Sequence, residues 1–489
     1  MEWTDNQKKA IKSKGNTIVT AAAGSGKTAV LVERVIEKLC DEKNPVSADR
    51  LLIVTFTNAA AAEMRQRIEK ALADKCTEQP NNEFLLRQRL LISSADICTI
   101  DSFCIRLVRN YFSLLGISPD FKIADEVTDL GIKYGVLKKI FNELFEKNDT
   151  DFLEFLEASN SEYGTANAEK NILQVYSFCQ KLPQGFKWLK ECAENYNPAN
   201  LKNSIYYNIF FEDVFNKTNL YLTELKAFRR DLFSHEKTDL KYGKYFDDLI
   251  EYLSKLSAYA EKLKWDDISN LLGNLPNFIG RFAYSKNYDR ELFDRGSEIY
   301  KSAKFFIINT AKKFSMSFCE LEKEFEFYYR IVLQIYDIVV AFNEVYIEQL
   351  HKKSYMTFAL VELYALKLLT KEDEQGNLIS SDLSNELISM YDEIMVDEYQ
   401  DINDLQGTLF EILSDGSKKL FTVGDVKQSI YGFRGSNPEN FSKRSDIAKE
   451  YSDDLSADIL KRIVLSNNFR SREKICDFIN SFFTVCMSK

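Results

Sequence analysis

Residues 21–28 read AAAGSGKT, directly behind the β-branched run TIVT at residues 17–20 and ahead of an apolar helical stretch at residues 29–39. A strand that breaks into a Gly-rich turn and resumes as a helix brings consecutive backbone N–H groups to one point. The helix dipole adds positive potential there. Such a turn cradles phosphate. Gly24 and Gly26 let the backbone approach closely, with Ala23 and Ser25 completing the turn. Lys27 is placed to reach the β- and γ-phosphates of ATP, and the Thr28 hydroxyl to ligate Mg²⁺. The first Gly of the usual pattern is Ala21 here.

The chain supplies a partner for that turn about 370 residues later, where residues 396–401 read VDEYQD. Asp397 follows the apolar run at residues 394–396, which sets its carboxylate at a strand's C-terminal edge, where a metal-holding Asp sits in phosphate-loop ATPases. Glu398 is then positioned to orient or deprotonate the attacking water. A third segment, GDVKQSIYGFR at residues 424–434, adds to the pair. Together the segments point to a nucleotide-driven machine.

Short strand candidates at residues 17–20, 51–56 and 97–100 alternate with helical stretches, among them the Ala-rich residues 59–72. Further strands are expected at residues 393–397, 420–423 and 463–465. Alternation of this kind predicts an α/β lobe with a parallel sheet. Between them the texture is helical: Val136, Leu137, Ile140, Phe141, Leu144 and Phe145 recur at helical spacing, as do Leu249, Ile250, Leu253, Leu256, Ala260 and Leu263. Aromatic stripes there, such as Tyr206, Tyr207, Phe210 and Phe211, read as core. The expected organisation is a first part of the motor lobe over residues 1–124, a helical insertion over 125–390, the remainder of the lobe over 391–460, and the start of a second lobe over 461–489.

Charge divides unevenly. The net charge is −10, yet residues 1–120 carry 17 basic and 15 acidic side chains and residues 418–489 carry 13 and 9. The middle, residues 121–417, holds 34 and 50. The motif-bearing ends thus leave room for a local phosphate track. No window holds 18 uninterrupted apolar residues, so no membrane span is expected. Nine cysteines without a CxxC pair fit reduced core thiols in a cytoplasmic protein.

The set of segments resembles superfamily 1 DNA helicases of the UvrD/Rep/PcrA type, and within them the AddA group of helicase–nuclease subunits. The residues that carry the resemblance are WTDNQKKAI at 3–11, the phosphate turn, TFTNAAAAEM at 55–64 and TIDSFC at 99–104. VDEYQD, GDVKQSIYGFRGSNPENF at 424–441 and NNFRS at 467–471 complete it. The resemblance implies a RecA-like phosphate-loop NTPase lobe interrupted by an all-helical subdomain. It further implies that Gln7 reads the adenine edge, Gln428 couples the γ-phosphate to the DNA track, Phe469 stacks on adenine and Arg470 touches the γ-phosphate. Phe56, Thr57, Tyr431, Phe433 and Arg434 would contact single-stranded DNA, by base stacking and phosphate contacts. The family pattern resembling DF-x-DL reads Thr357-Phe358-Ala359-Leu360-Val361 here, without its two acidic side chains.

The expected function is an ATP- and Mg²⁺-dependent 3′→5′ DNA helicase module of double-strand-break repair and recombination. Its partners would be single-stranded or duplex DNA and, at full length, an AddB-like nuclease subunit. The chain reads as an N-terminal portion, so an alternative is a nucleotide- and DNA-binding fragment without productive turnover. An RNA-directed motor is a third reading, disfavoured by the DNA-translocase character of VDEYQD and KQSIYGFR.

Overall fold

A computed structural model describes residues 2–159, 164–275, 290–375 and 377–486, with only the backbone of Arg434. Seven strands form the main sheet: β1 (Thr17–Ala21), β2 (Leu51–Thr55), β3 (Asp96–Thr99), β4 (Glu393–Val396), β5 (Leu420–Gly424), β6 (Lys449–Glu450) and β7 (Lys461–Leu465). Their order is β6-β7-β1-β5-β4-β2-β3, and every pairing is parallel. β2, β4 and β5 are buried along their whole length, as a sheet covered on both faces requires. This is an α/β phosphate-loop NTPase fold. Because all strands point the same way, their C-terminal ends share one edge, and the phosphate turn, Asp397 and Asp425 all follow strands there.

The core beneath that edge holds Val19, Leu31, Val35, Ile53, Met395, Phe421 and Ile463. Within it Arg34, on the helix Lys27–Leu39, is fully buried. Its guanidinium donates to Glu393 Oε1 at 2.9 Å and to the Ala10 carbonyl at 2.7 Å, and lies 4.0 Å over the Phe421 ring. Lys38 pairs with the other Glu393 oxygen at 2.8 Å. A buried charge is tolerated when it is paired and hydrogen-bonded on all sides, and here the pairing ties the helix after the phosphate turn to the base of β4.

The chain divides into two compact units. One comprises Met1–Phe141, Glu169–Gly185 and Ala341–Lys489; the other comprises Asn142–Ala168 and Phe186–Val340. The separate helical body is therefore shorter than the expected 125–390. Buried Tyr176, Phe342 and Tyr346 explain the difference, since their rings pack at 4.8–5.8 Å and join the parts of two helices, Ala166–Cys179 and Phe318–Lys352, that belong to the first unit. Helical periodicity marks a face as buried but does not say against which body it is buried. The boundary expected at residue 461 shifts for a related reason. β7 pairs with β1 in register Thr17↔Lys461, so this strand belongs to the first sheet and does not open a second lobe. The final helix, Glu473–Cys486, buries none of its residues.

The second unit is built on long helices, Ile205–Phe233, Glu236–Glu261 and Arg290–Lys313, around Phe211, Phe228, Phe246, Tyr252, Trp265 and Tyr300. The expected core role holds for Tyr207 and Phe211 and in part for Phe210, whereas Tyr206 is exposed. Among the described residues no helix is long and apolar enough to cross a membrane.

Candidate active site

The turn after β1 adopts the conformations its sequence demands. Gly24 and Gly26 have φ of +72° and +84°, a region open to glycine at no steric cost. Gly26 is the N-cap of Lys27–Leu39, so that helix's first N–H groups are left free of side-chain caps. A Cβ at Gly24 would meet the Asn468 side-chain oxygen at 2.7 Å. Ser25 is buried, and its hydroxyl has no hydrogen-bond partner among the described residues. Thr28 is the second residue of the helix and half-buried.

Gln7 sits behind the turn, 5 % exposed. Its Nε2 donates to the Ser25 carbonyl at 3.1 Å, and its Oε1 accepts from the Thr4 N–H at 3.0 Å. Both ends of the amide are thus engaged within the protein, as a brace for the turn and a cap for the helix Asp5–Lys12.

From β4 the chain enters Asp397, whose N–H still bonds to the Val54 carbonyl at 2.9 Å. Glu398 then turns left-handed, φ +51°, and its N–H leaves the sheet ladder to donate to Asp397 Oδ1 at 3.0 Å. That kink is uncommon for a non-glycine residue and is held by its surroundings. Burial, with Glu398 alongside, pushes the Asp397 carboxyl up to about 6, a rise that the Lys27 ammonium partly offsets. Burial also raises Asp401.

Lys27 crosses to this segment. Its Nζ lies 2.8 Å from Glu398 Oε2 and 3.2 Å from Gln428 Oε1. Gln428 Nε2 donates to Asp425 Oδ2 at 2.8 Å, and the Asp425 N–H donates to Gln400 Oε1 at 2.9 Å. Gln400 Nε2 returns to Glu398 Oε2 at 2.9 Å. A closed ring of polar contacts therefore links the phosphate turn, VDEYQD and GDVKQSIYGFR. Gly424 is needed at the crossing, because a Cβ there would lie 2.4 Å from Gln400 Oε1.

The family profile described as UvrD/REP helicase N-terminal domain matches residues 3–449. The chain belongs to this family. It is also similar to proteins named as the A subunit of an ATP-dependent helicase/nuclease. The one from Acetivibrio thermocellus is 35 % identical over all of this chain and 39 % of the relative. Those from Clostridium acetobutylicum and Clostridioides difficile are each 32 % identical, over 99 % and 100 % of this chain and 40 % and 39 % of theirs. The chain thus spans about two-fifths of the length of the curated relatives it matches.

The UvrD/REP motifs also gather on a second side of the sheet edge. The Phe56 and Tyr431 rings are 4.3 Å apart, and Tyr431 lies 5.9 Å from Phe433, which is 78 % exposed. Thr57, although exposed, caps the helix Asn58–Glu78 by accepting from the Ala60 N–H at 3.1 Å. The Arg434 side chain lies outside the described residues; its backbone is in the turn Gly432–Arg434. Phe469 has an exposed ring, and its N–H donates to the Gly24 carbonyl at 2.8 Å. Arg470 is exposed beside the same turn, where a Cβ on Gly24 would meet its Cβ at 2.9 Å.

Sequence reasoning passed over several residues. Asn468 Nδ2 donates to the Ala23 carbonyl at 3.0 Å, while its Oδ1 accepts from the N–H groups of Arg470 and Ser471, each at 2.8 Å. It clasps the phosphate turn and shapes the segment that carries Phe469 and Arg470. Gln400 and Asp425 were inside quoted motifs, but their partners are distant in sequence and invisible to spacing. Thr357 replaces an expected acid yet keeps a short acceptor there, capping Phe358–Leu369 through the Leu360 N–H at 3.2 Å. The acid in that helix is Glu362, buried and bonded by Gln406 at 2.7 Å.

Proposed function

We propose that the chain is the ATP-binding lobe of a DNA helicase or translocase that moves 3′→5′ and serves double-strand-break repair, in the manner of the helicase/nuclease subunits it resembles. The observation that carries the reading is the convergence of Lys27 with Glu398 and Gln428, beside buried Asp397, at the C-terminal edge of a parallel sheet. That arrangement suits phosphoryl transfer from a nucleotide, where catalysis is mainly positioning and charge stabilisation.

The residues fit Mg²⁺-ATP. Helix-start N–H groups, the glycine turn and the partnerless Ser25 hydroxyl suit phosphate oxygens. Mg²⁺ keeps several waters and takes few protein ligands, so one carboxylate, Asp397, and one hydroxyl, Thr28, make a fitting set. Bound Mg²⁺ would supply charge neutralisation across the β- and γ-phosphates. Lys27 would leave Glu398 for the phosphates, which frees the Glu398 carboxylate to orient the attacking water. Gln428, bonded to Lys27 on one side and three residues ahead of Tyr431, would report the state of the γ-phosphate to the aromatic cluster. Phe469 and Arg470 would close over the nucleotide, held by Asn468.

On this reading Phe56, Tyr431 and Phe433 form a stacking track for single-stranded DNA, with Thr57 and Arg434 as phosphate contacts. The whole assembly would include an AddB-like nuclease partner. The test is phosphate release by the purified chain with Mg²⁺-ATP, with and without oligo(dT). Stimulation by DNA that is lost in Tyr431→Ala supports the coupling. Release that ignores DNA in both proteins argues for a nucleotide-binding module alone.

A further inference from the structure

We propose that a groove beside the aromatic cluster, walled by the helices Glu126–Glu146 and Ala166–Cys179, holds a further stretch of the same single strand of DNA. The proposal rests on the stacking track described above and extends it to residues with no assigned role. The groove has a volume of about 610 Å³, with Leu130 and Tyr134 on one wall, Lys170 and Phe178 on the other, and Gly432, Gly435 and Ser436 beneath. Its floor is therefore the turn that carries Tyr431 and Phe433.

Continuity is physical as well as sequential. A second cavity of about 400 Å³ opens beneath Phe56, and Lys181 and Ser436 line both spaces. A strand stacked on Phe56 and Tyr431 can thus pass Lys181 into the groove without leaving the surface. The Ser436 hydroxyl at that junction is buried and has no hydrogen-bond partner among the described residues. Gly435, φ +86°, sits beneath it in the left-handed region that favours glycine, with the end of the Lys181 side chain against it.

The groove's chemistry favours nucleic acid over an apolar helix. Tyr134 and Phe178 are 45 % and 50 % exposed on the two walls. Lys170 and Lys181 supply cations for the backbone. The acidic residue of the lining, Asp404, is held by Asn437 and Asn440, each at 2.8 Å. Aromatic rings interleaved with cations are the pattern that binds single strands without sequence preference. The walls are firm. Tyr176, behind Phe178, is fully buried and donates to Asn343 at 3.1 Å, and Tyr346 donates to Asp129 on the facing helix.

The test is fluorescence anisotropy of the 489-residue chain with a length series of labelled oligo(dT). Short oligomers reach only the Phe56–Tyr431 track, and longer ones also fill the groove. Tyr134→Ala with Phe178→Ala should weaken long oligomers by at least about fivefold, the lower bound for one lost stacked base, and leave short ones unchanged. Phe178→Trp should restore part of the loss. Lys170→Gln, an exposed change that spares the fold, should lower the salt dependence of long-oligomer binding by about one phosphate contact. Tyr431→Ala should weaken every length. If the groove variants bind all lengths like wild type while Tyr431→Ala does not, the groove proposal is overturned and the track stands. If Tyr431→Ala is silent too, the track itself fails. Loss of duplex binding in the groove variants, with single strands unaffected, would also overturn the proposal.

Discussion

The phosphate edge of the sheet and the helical body of the second unit both crowd polar atoms into partly buried space, but they satisfy them differently. In the helical body three polar tips of the aromatic core each end on a backbone carbonyl: Tyr207 donates to Leu263 at 3.0 Å, Tyr252 to Leu271 at 2.9 Å and Trp265 to Met316 at 2.9 Å. Those bonds are terminal. At the phosphate edge side chains bond to one another in a ring from Lys27 through Gln428, Asp425 and Gln400 to Glu398, closed by the Asp425 backbone N–H to Gln400. Such a ring can exchange partners when an anion arrives, and it is assembled on left-handed backbone at Gly24, Gly26 and Glu398. Terminal bonds make a scaffold; exchangeable ones make a site.

The comparison predicts that stability and binding separate under mutation. The largest effect is expected in the body. Phe246→Ala removes a fully buried ring from the cluster and should cost about 3–5 kcal/mol, read by chemical denaturation. Affinity of the still-folded fraction for an ATP analogue should not change. A matching loss of intrinsic affinity would break the distinction between the two regions.

Lys27→Ala should do the reverse. Removing a charged hydrogen bond to phosphate is worth roughly 1.5–3 kcal/mol, or about one to two orders of magnitude in nucleotide affinity. The denaturation midpoint should shift little, because the residue is partly exposed and its loss leaves Gln428 and Glu398 tied to Asp425 and Gln400. Calorimetric titration with a non-hydrolysable analogue reads the first, and urea unfolding the second. Equal affinity in mutant and wild type would place the nucleotide elsewhere.

Asn468→Ala sharpens the picture at the edge of the site. It releases the Ala23 carbonyl and the turn that positions Phe469 and Arg470. Nucleotide affinity should fall by about fivefold, the value of a neutral hydrogen bond of ~1 kcal/mol. Asn468→Asp retains the acceptor toward residues 470 and 471 and should recover part of that loss only if their orientation matters more than the Ala23 contact.

The smallest effect concerns pH. Glu362 is pushed up to about 8, first by burial and then by Asp101, against the donors Gln406 and Asn403. Lys181 also faces it, with its own ammonium destabilised by burial. A raised carboxyl binds its proton more tightly folded than unfolded. Its contribution to stability is therefore complete below its ordinary value of 4.5 and is lost as pH climbs through about 8. Glu362→Gln cannot ionise and should flatten the decline of unfolding free energy between pH 5 and 9, by at least about 1 kcal/mol at the alkaline end, read by urea denaturation at each pH. Parallel curves for the two proteins would show that Glu362 is not the group responsible.

How far sequence alone reached follows the same division. Six of the seven main strands were legible, because short β-branched runs between helices carry their own signal; β6 was missed, being two exposed charged residues, Lys449 and Glu450. The phosphate turn and Asp397 were legible because local backbone geometry is written in Gly24, Gly26 and the apolar run before residue 397. What stayed hidden depends on contacts across hundreds of residues. The Arg34–Glu393 pair, the Asn468 clasp and the inward-facing amide of Gln7 have no local spacing to betray them. The limits of the helical body were hidden for the same reason, since Tyr176, Phe342 and Tyr346 read as helix core wherever they pack.

The central claim is that Asp397 holds the metal and Glu398 handles the water, and it is tested by Mg²⁺-dependent binding of an ATP analogue to Asp397→Asn and Glu398→Gln. Glu398→Gln should bind with full Mg²⁺ dependence and at least wild-type affinity, because Lys27 is released from its ion pair. Asp397→Asn should bind the nucleotide but lose the enhancement by Mg²⁺. The opposite pattern, with Mg²⁺ dependence lost in Glu398→Gln and kept in Asp397→Asn, would contradict the assignment.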